Sequence, residues 1–116
     1  MNNLDIPILR KSYDLYKTFH GYRKLVPKQD RFTIYERSEN IIIDIVESFL
    51  EAGYSRTNKT QFLEEASVKL NILRFFVRLM KESQILDLKK YILLQEMIDE
   101  IGRMLGGWIR SNNPGT

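Results

Sequence analysis

Three sets of residues have types and spacings that could do chemistry: paired carboxylates, one histidine and a short file of cations. Glu36 with Glu39, and Glu96 with Asp99, stand three apart. In metal-binding four-helix proteins such carboxylates are completed by a Glu-x-x-His pair on a facing helix. The one histidine, His20, has Lys17 three residues before it, so that set is never completed. The carboxylates therefore read as a solvated helix face and His20 as a surface or boundary residue. The chain has no cysteine, which excludes disulfides, thiolate chemistry and cysteine-ligated zinc. No glycine-rich phosphate loop or nucleophile motif accompanies its Ser and Thr residues. No catalytic residue, metal or cofactor is expected, and binding is the function class that remains.

The cations are more informative. Arg74, Arg78 and Lys81 are spaced four and three apart, so on a helix they stack into one stripe. The same stretch carries Ala66, Lys69, Leu73, Phe76 and Met80 at the spacing of a bundle seam, widened by Leu70 and Val77. At about 100° per residue the cationic stripe lies a quarter-turn or so from that seam. One helix would thus give an apolar side to its own bundle and present a row of cations outward. Guanidiniums on a stiff helix hold phosphate in a bidentate fork with little ordering cost. The alternative is that Arg74 and Arg78 pair with acids on a neighbouring subunit.

The elements that would position this stripe are helices. The periodicity predicts them over about 7–26, 32–53, 58–82 and 87–111. Pro7 suits a first helical turn, and Pro27 ends the run Leu9, Ser12, Tyr16, Phe19, Arg23, Val26. The second seam is Ile34, Ser38, Ile41, Ile45 and Phe49; its β-branched residues suggest a strand, but the regular acids and the length favour a helix. Thr33 with Glu36 has capping-box spacing, Gly53 is placed as a C-terminal cap, Asn58 with Gln61 forms a second capping pair, and Asp87 is an N-cap. The fourth seam is Leu88, Tyr91, Gln95, Ile98, Gly102, Leu105 and Ile109, and the tail after it reads as a frayed end. Four such helices with short links make an all-α, antiparallel, up-down-up-down four-helix bundle. The 116 residues, 43% of them apolar, fit one domain with one modest core.

Charge alternates along the chain. Residues 10–37 hold eight Lys/Arg against three acids, 38–55 none against four, 56–81 six against two, and 82–100 two against five. Neighbouring helices complementing one another would explain this, and so would basic faces kept for an anionic partner. No apolar run approaches the roughly 18 residues of a membrane span. The opening MNNLDIPILRK lacks signal-peptide order, so a cytoplasmic protein without membrane contact is expected.

Two segments carry a family signature: Leu73-Arg74-Phe75-Phe76-Val77-Arg78-Leu79, and the closing block from Asp99 through Ile101-Gly102-Arg103-Met104-Leu105-Gly106-Gly107-Trp108-Ile109-Arg110. With the Ile6-Pro7 start, Arg31-Phe32-Thr33 and Ala52-Gly53-Tyr54-Ser55-Arg56, they resemble the accessory variability determinant (Avd) proteins of diversity-generating retroelements. Those belong to a wider four-helix-bundle family that includes the 23S ribosomal RNA intervening-sequence proteins. The resemblance implies a homopentamer around a channel that binds a reverse transcriptase and its template RNA or cDNA without being the polymerase. It assigns Arg74 and Arg78 to polymerase or nucleic-acid contact, and Lys81, Arg56 and Arg37 join them as basic candidates. Gly102, Arg103, Gly106, Trp108 and Arg110 are candidates for packing or assembly: the glycines would permit close helix approach, and Trp108 would anchor a subunit contact or sit in the core. No aromatic platform for base stacking is evident, so recognition by shape and charge is expected. Two other readings remain: a stand-alone bundle of the intervening-sequence type with no polymerase partner, and a self-assembling protein-interaction scaffold.

Overall fold

The computed structural model describes residues 7–112, and among them it contains helices and no strand. Four long helices carry the fold: α1 (Pro7–Tyr22), α2 (Ile34–Tyr54), α3 (Lys59–Glu82) and α4 (Leu88–Asn112). The isoleucine run 41–43 lies inside α2, because its neighbours at helical spacing have a core to enter. Of the tail expected to fray from Ser111 on, Ser111 and Asn112 are instead the last residues of α4, with Asn112 donating to the Thr60 hydroxyl; the remainder, like the Ile6 part of the start motif, lies outside the described residues.

The ends of these helices depart from the spacing-based expectation where local chemistry competes. The first helix stops at Tyr22 and tightens into a 3-10 turn, Arg23–Leu25. Val26 is then extended (φ −84°, ψ 141°), as a residue before proline must be. A single helical turn, Lys28–Arg31, follows. Thr33 does not cap α2: its hydroxyl donates to the Asp30 carbonyl at 3.3 Å, while Glu36 lies 3.7 Å from the Arg23 guanidinium. Gly53 does not end α2 either, since no described glycine has positive φ and the helix continues to Tyr54. Asn58 makes no side-chain cap; its N–H donates to the Ser55 hydroxyl at 2.9 Å, and Gln61 reaches Glu65 instead.

At α4 the expected cap is present. The Lys90 N–H donates to Asp87 Oδ1 at 2.8 Å and the Lys90 ammonium to Oδ2 at 2.6 Å. These bonds hold the Asp87 carboxyl below its usual range, the side-chain bond contributing most. The end of α3 is closed by Gln84 at φ 62°, with Gln84 N–H to Lys81 O and Ile85 N–H to Met80 O. That pattern is a Schellman motif carrying glutamine where glycine would be unstrained.

In space α1 packs on α2 and α4, and α3 packs on the same two helices. Contacts across neighbours include Phe19 with Tyr35, Lys69 with Asp44, Lys11 with Glu100, and Asn112 with Thr60. The core is built from Leu15, Phe19, Ile42, Ile45, Phe49, Leu63, Leu73, Met80, Leu94, Ile98 and Ile101.

The buried faces are turned slightly from those expected. On α3 they are Leu63, Ala66, Leu70, Leu73, Val77 and Met80, with Lys69 and Phe76 half-buried beside them. On α4 they are Leu94, Ile98, Ile101 and Leu105; Leu88 is exposed, and Tyr91, Gln95, Gly102 and Ile109 are half-buried. Two helical registers compete on α4, and the one made wholly of large aliphatics removes more apolar area from water. On α1, Ile8 and Leu15 are buried while Tyr16, like Arg23 in the turn after it, is half-buried.

Tyr35 and Glu39 are core residues that apolar spacing does not reveal. The Tyr35 ring stacks on Phe19 with centroids 4.1 Å apart, and its hydroxyl donates to the Phe19 carbonyl. Burial pushes the phenol's pKa up. Glu39 lies 3.0 Å from His20 Nδ1 and 3.9 Å from the Arg23 guanidinium, and the exposed His20 ring meets Tyr16 edge-on.

Candidate functional site

Helix α3 holds Arg74, Arg78 and Lys81 toward the side it shares with α4. Arg74 is half-buried: Nε and one terminal nitrogen donate to Asp99 Oδ1 at 3.3 and 3.1 Å, and the other donates to Asn71 at 2.7 Å. Arg78 is exposed and donates to Glu82 at 3.1 Å, one turn on. The Lys81 ammonium lies 5.6 Å from the Tyr91 ring centroid. The stripe therefore exists, but each of its cations already has a partner within the chain. An open furrow of about 470 Å³ runs beside it, lined by Asn71, Arg74, Phe75, Arg78, Tyr91, Gln95 and Asp99.

The solvent side of α3 carries a second stripe. Val68, Ile72, Phe75 and Leu79 are exposed at 4-3-4 spacing, and the Phe75 side chain is 65% exposed. A core-facing helix of a soluble bundle usually shows polar residues on that side. An apolar file there, flanked by fixed guanidiniums, has the composition of a protein interface, where aromatics and arginine are enriched.

The remaining basic candidates do not gather into that patch as one cluster. Arg37 and Arg56 are exposed; Arg37 lies in the first turns of α2 and Arg56 in the link beyond its far end, a separation of roughly 25 Å at 1.5 Å per helical residue. Neither has an ion pair among the described residues, and the same holds for Arg103 and Arg110.

The glycines behave differently from each other. A Cβ on Gly102 would sit 3.4 Å from an Arg74 terminal nitrogen and 3.6 Å from Leu70 Cδ2, ordinary contact distances to side-chain tips of α3. A Cβ on Gly106 would meet only the Arg110 guanidinium, at 3.3 Å. Gly106 therefore makes no close helix approach within the protomer, contrary to the expectation of a paired glycine face. Trp108 is half-buried against the core, its ring 6.2 Å from that of Phe49.

Among the described residues, no three His, Asp or Glu side chains come together to hold a metal ion. None of their helices is long and apolar enough to cross a membrane. A family model described as bAvd-like matches residues 7–112, the whole of the described fold. The chain belongs to the bAvd-like family. No curated protein matches it.

For this bAvd-like protein, the residues missed by spacing fall into two kinds. Val68, Ile72, Phe75 and Leu79 were visible as a second apolar register opposite the first, so the signal was present. Asp99 as the partner of Arg74 lies 25 residues away and depends on how α3 meets α4.

Proposed function

We propose that the protein is a non-catalytic accessory factor of a diversity-generating retroelement, a single up-down-up-down four-helix domain that works in the cytoplasm as a homo-oligomer, a pentamer by family resemblance. The helix order is supported by pairs whose numbers run in opposite senses, such as Thr60 with Asn112 and Lys81 with Tyr91. Its partners are a reverse transcriptase and the template RNA or cDNA.

The observation that carries this reading is the outer face of α3 on a bAvd-like chain, where exposed Phe75 and its apolar file lie beside arginines already held in place. Arg74 and Arg78 have their charge locally offset by Asp99 and Glu82, which suits a shaped protein partner better than a bare polyanion. We assign Arg74, Arg78 and Lys81 to the polymerase contact. Arg37 and Arg56, without acidic partners, are assigned to nucleic acid.

The same apolar file favours a second reading, the self-assembling scaffold, in which a neighbouring copy covers it. Two measurements separate them: co-purification with a reverse transcriptase encoded beside this gene, and light scattering of the protein alone. Co-purification lost on Phe75→Asp with the oligomer intact supports the polymerase contact. An oligomer that dissociates on the same change assigns the face to self-assembly. Absence of any neighbouring reverse transcriptase gene would favour the stand-alone bundle.

A further inference from the structure

At one end of the bundle the α1–α2 link meets the α3–α4 link, and this end carries most of the molecule's uncompensated charge. Residues 22–39 and 78–91 hold nine Lys/Arg against five Asp/Glu, an excess of four where the whole chain has three. Four of those five acids are engaged: Glu36 and Glu39 with Arg23, Glu82 with Arg78, and Asp87 with Lys90. Lys24, Lys28 and Lys89 are exposed and, among the described residues, have no carboxylate within 4 Å; Lys89 feels Asp87 only at longer range.

The backbone here is fixed. Arg31 donates to the Val26 carbonyl and to the Lys24 carbonyl, each at 2.8 Å, which clamps the link. The Lys90 ammonium, 5.6 Å from the Tyr22 ring centroid, ties the first turn of α4 to the end of α1. Phe32 is 70% exposed, and its ring lies 4.9 Å from the Arg23 guanidinium carbon. A cation occupies one side of that ring, so the side chain is held as a platform while most of it faces water.

We propose that this end of the bundle binds single-stranded nucleic acid, a base stacking on Phe32 while Lys24, Lys28 and Lys89 take phosphates. The proposal rests on the nucleic-acid reading above and gives it a place and a strandedness. A duplex presents phosphates but keeps its bases stacked on each other, so a fixed aromatic ring adds nothing to its binding. A single strand can lay a base on any exposed ring, whatever its sequence. An anionic lipid surface would also attract the lysines. However, the exposed apolar groups here, Leu25 and Phe32 on the α1–α2 link and Leu88 at the start of α4, are separate side chains rather than the continuous face of an amphipathic helix.

The test is fluorescence anisotropy of a labelled uridine oligonucleotide and of a duplex of equal length, titrated with the full chain at several salt concentrations. Phe32→Ala should weaken single-strand binding roughly tenfold and leave duplex binding unchanged, and Phe32→Trp should retain it. The triple change Lys24→Gln, Lys28→Gln, Lys89→Gln should lower the slope of log affinity against log salt by about two. Circular dichroism checks that these surface variants fold. Single-strand binding that is unaltered in both variants overturns this site and leaves the nucleic-acid reading standing. No oligonucleotide binding by the unmodified protein overturns that reading as well. Binding to phosphatidylglycerol vesicles with none to oligonucleotide replaces both with a lipid-surface role.

Discussion

The α3–α4 face and the link end both display cations, and they differ in what holds them. On the face, Arg74 is fixed by Asp99 and Asn71, Arg78 by Glu82, and Lys81 leans on Tyr91. At the link end, Lys24, Lys28 and Lys89 have no carboxylate within ion-pair distance, and four of the five acids there are already engaged. Fixed, locally neutralised arginines beside an apolar file favour a partner of defined shape. Unpaired lysines beside one immobilised ring favour a flexible polyanion, with affinity that falls as salt rises. Counting basic residues would treat the two regions alike; their hydrogen bonds separate them.

That contrast can be broken by substitution, and the largest effect belongs to the apolar file. Phe75→Asp should weaken the protein partner's binding by at least roughly thirtyfold, as loss of an interface anchor does. Its thermal midpoint should barely move, because the side chain is exposed in the protomer. A pull-down series with a melting curve checks both.

Next comes Gly102→Leu. The new side chain must displace Leu70 or push Arg74 off Asp99, and the resulting overpacking costs about 1–3 kcal/mol. Gly106→Ala, one turn away, meets only the movable tip of Arg110 and should stabilise by up to about 1 kcal/mol through helix propensity. Urea titrations of the two variants should move in opposite directions.

The paired change Arg74→Ala, Arg78→Ala tests the face more gently. Both ion pairs are well exposed, so unfolding free energy should fall by less than about 1 kcal/mol. Polymerase binding should weaken while the salt slope of oligonucleotide binding stays put. Gln84→Gly is a small-effect control near the link end: it relieves a left-handed residue and should stabilise by about 0.5–1 kcal/mol in the same titration.

Acid should act on the link end through Asp87. A depressed carboxyl supports the fold above its unfolded pKa and loses that contribution as pH falls through its folded pKa. Amide exchange at Lys90 should therefore quicken below the ordinary carboxylate range, and Asp87→Asn should remove that pH dependence.

How much of this was legible beforehand differs by residue. The helices follow from apolar spacing alone, and Asp87 caps α4 because a short carboxylate before a helix reaches its third N–H. The Thr33 cap failed because its hydroxyl has a nearer backbone carbonyl, and the Asn58–Gln61 pair failed because the Asn58 N–H is taken by the Ser55 hydroxyl; local sequence does not rank such competitors. The exact buried face of α4 was not legible, since two registers were available and only packing against α1 and α3 chooses between them. Tyr35 and Glu39 are buried by a stack and by polar partners on α1 and the turn after it, which their own helix does not reveal. The basic stripe was legible as geometry but not as chemistry, because its neutralising acid Asp99 arrives from another helix.

The most direct test places a photo-crosslinking side chain at Phe75 or at Phe32 and irradiates the protein mixed with the reverse transcriptase and RNA proposed as its partners. Position 75 should capture protein and position 32 should capture RNA. RNA captured at 75, with protein captured at 32, would contradict that assignment.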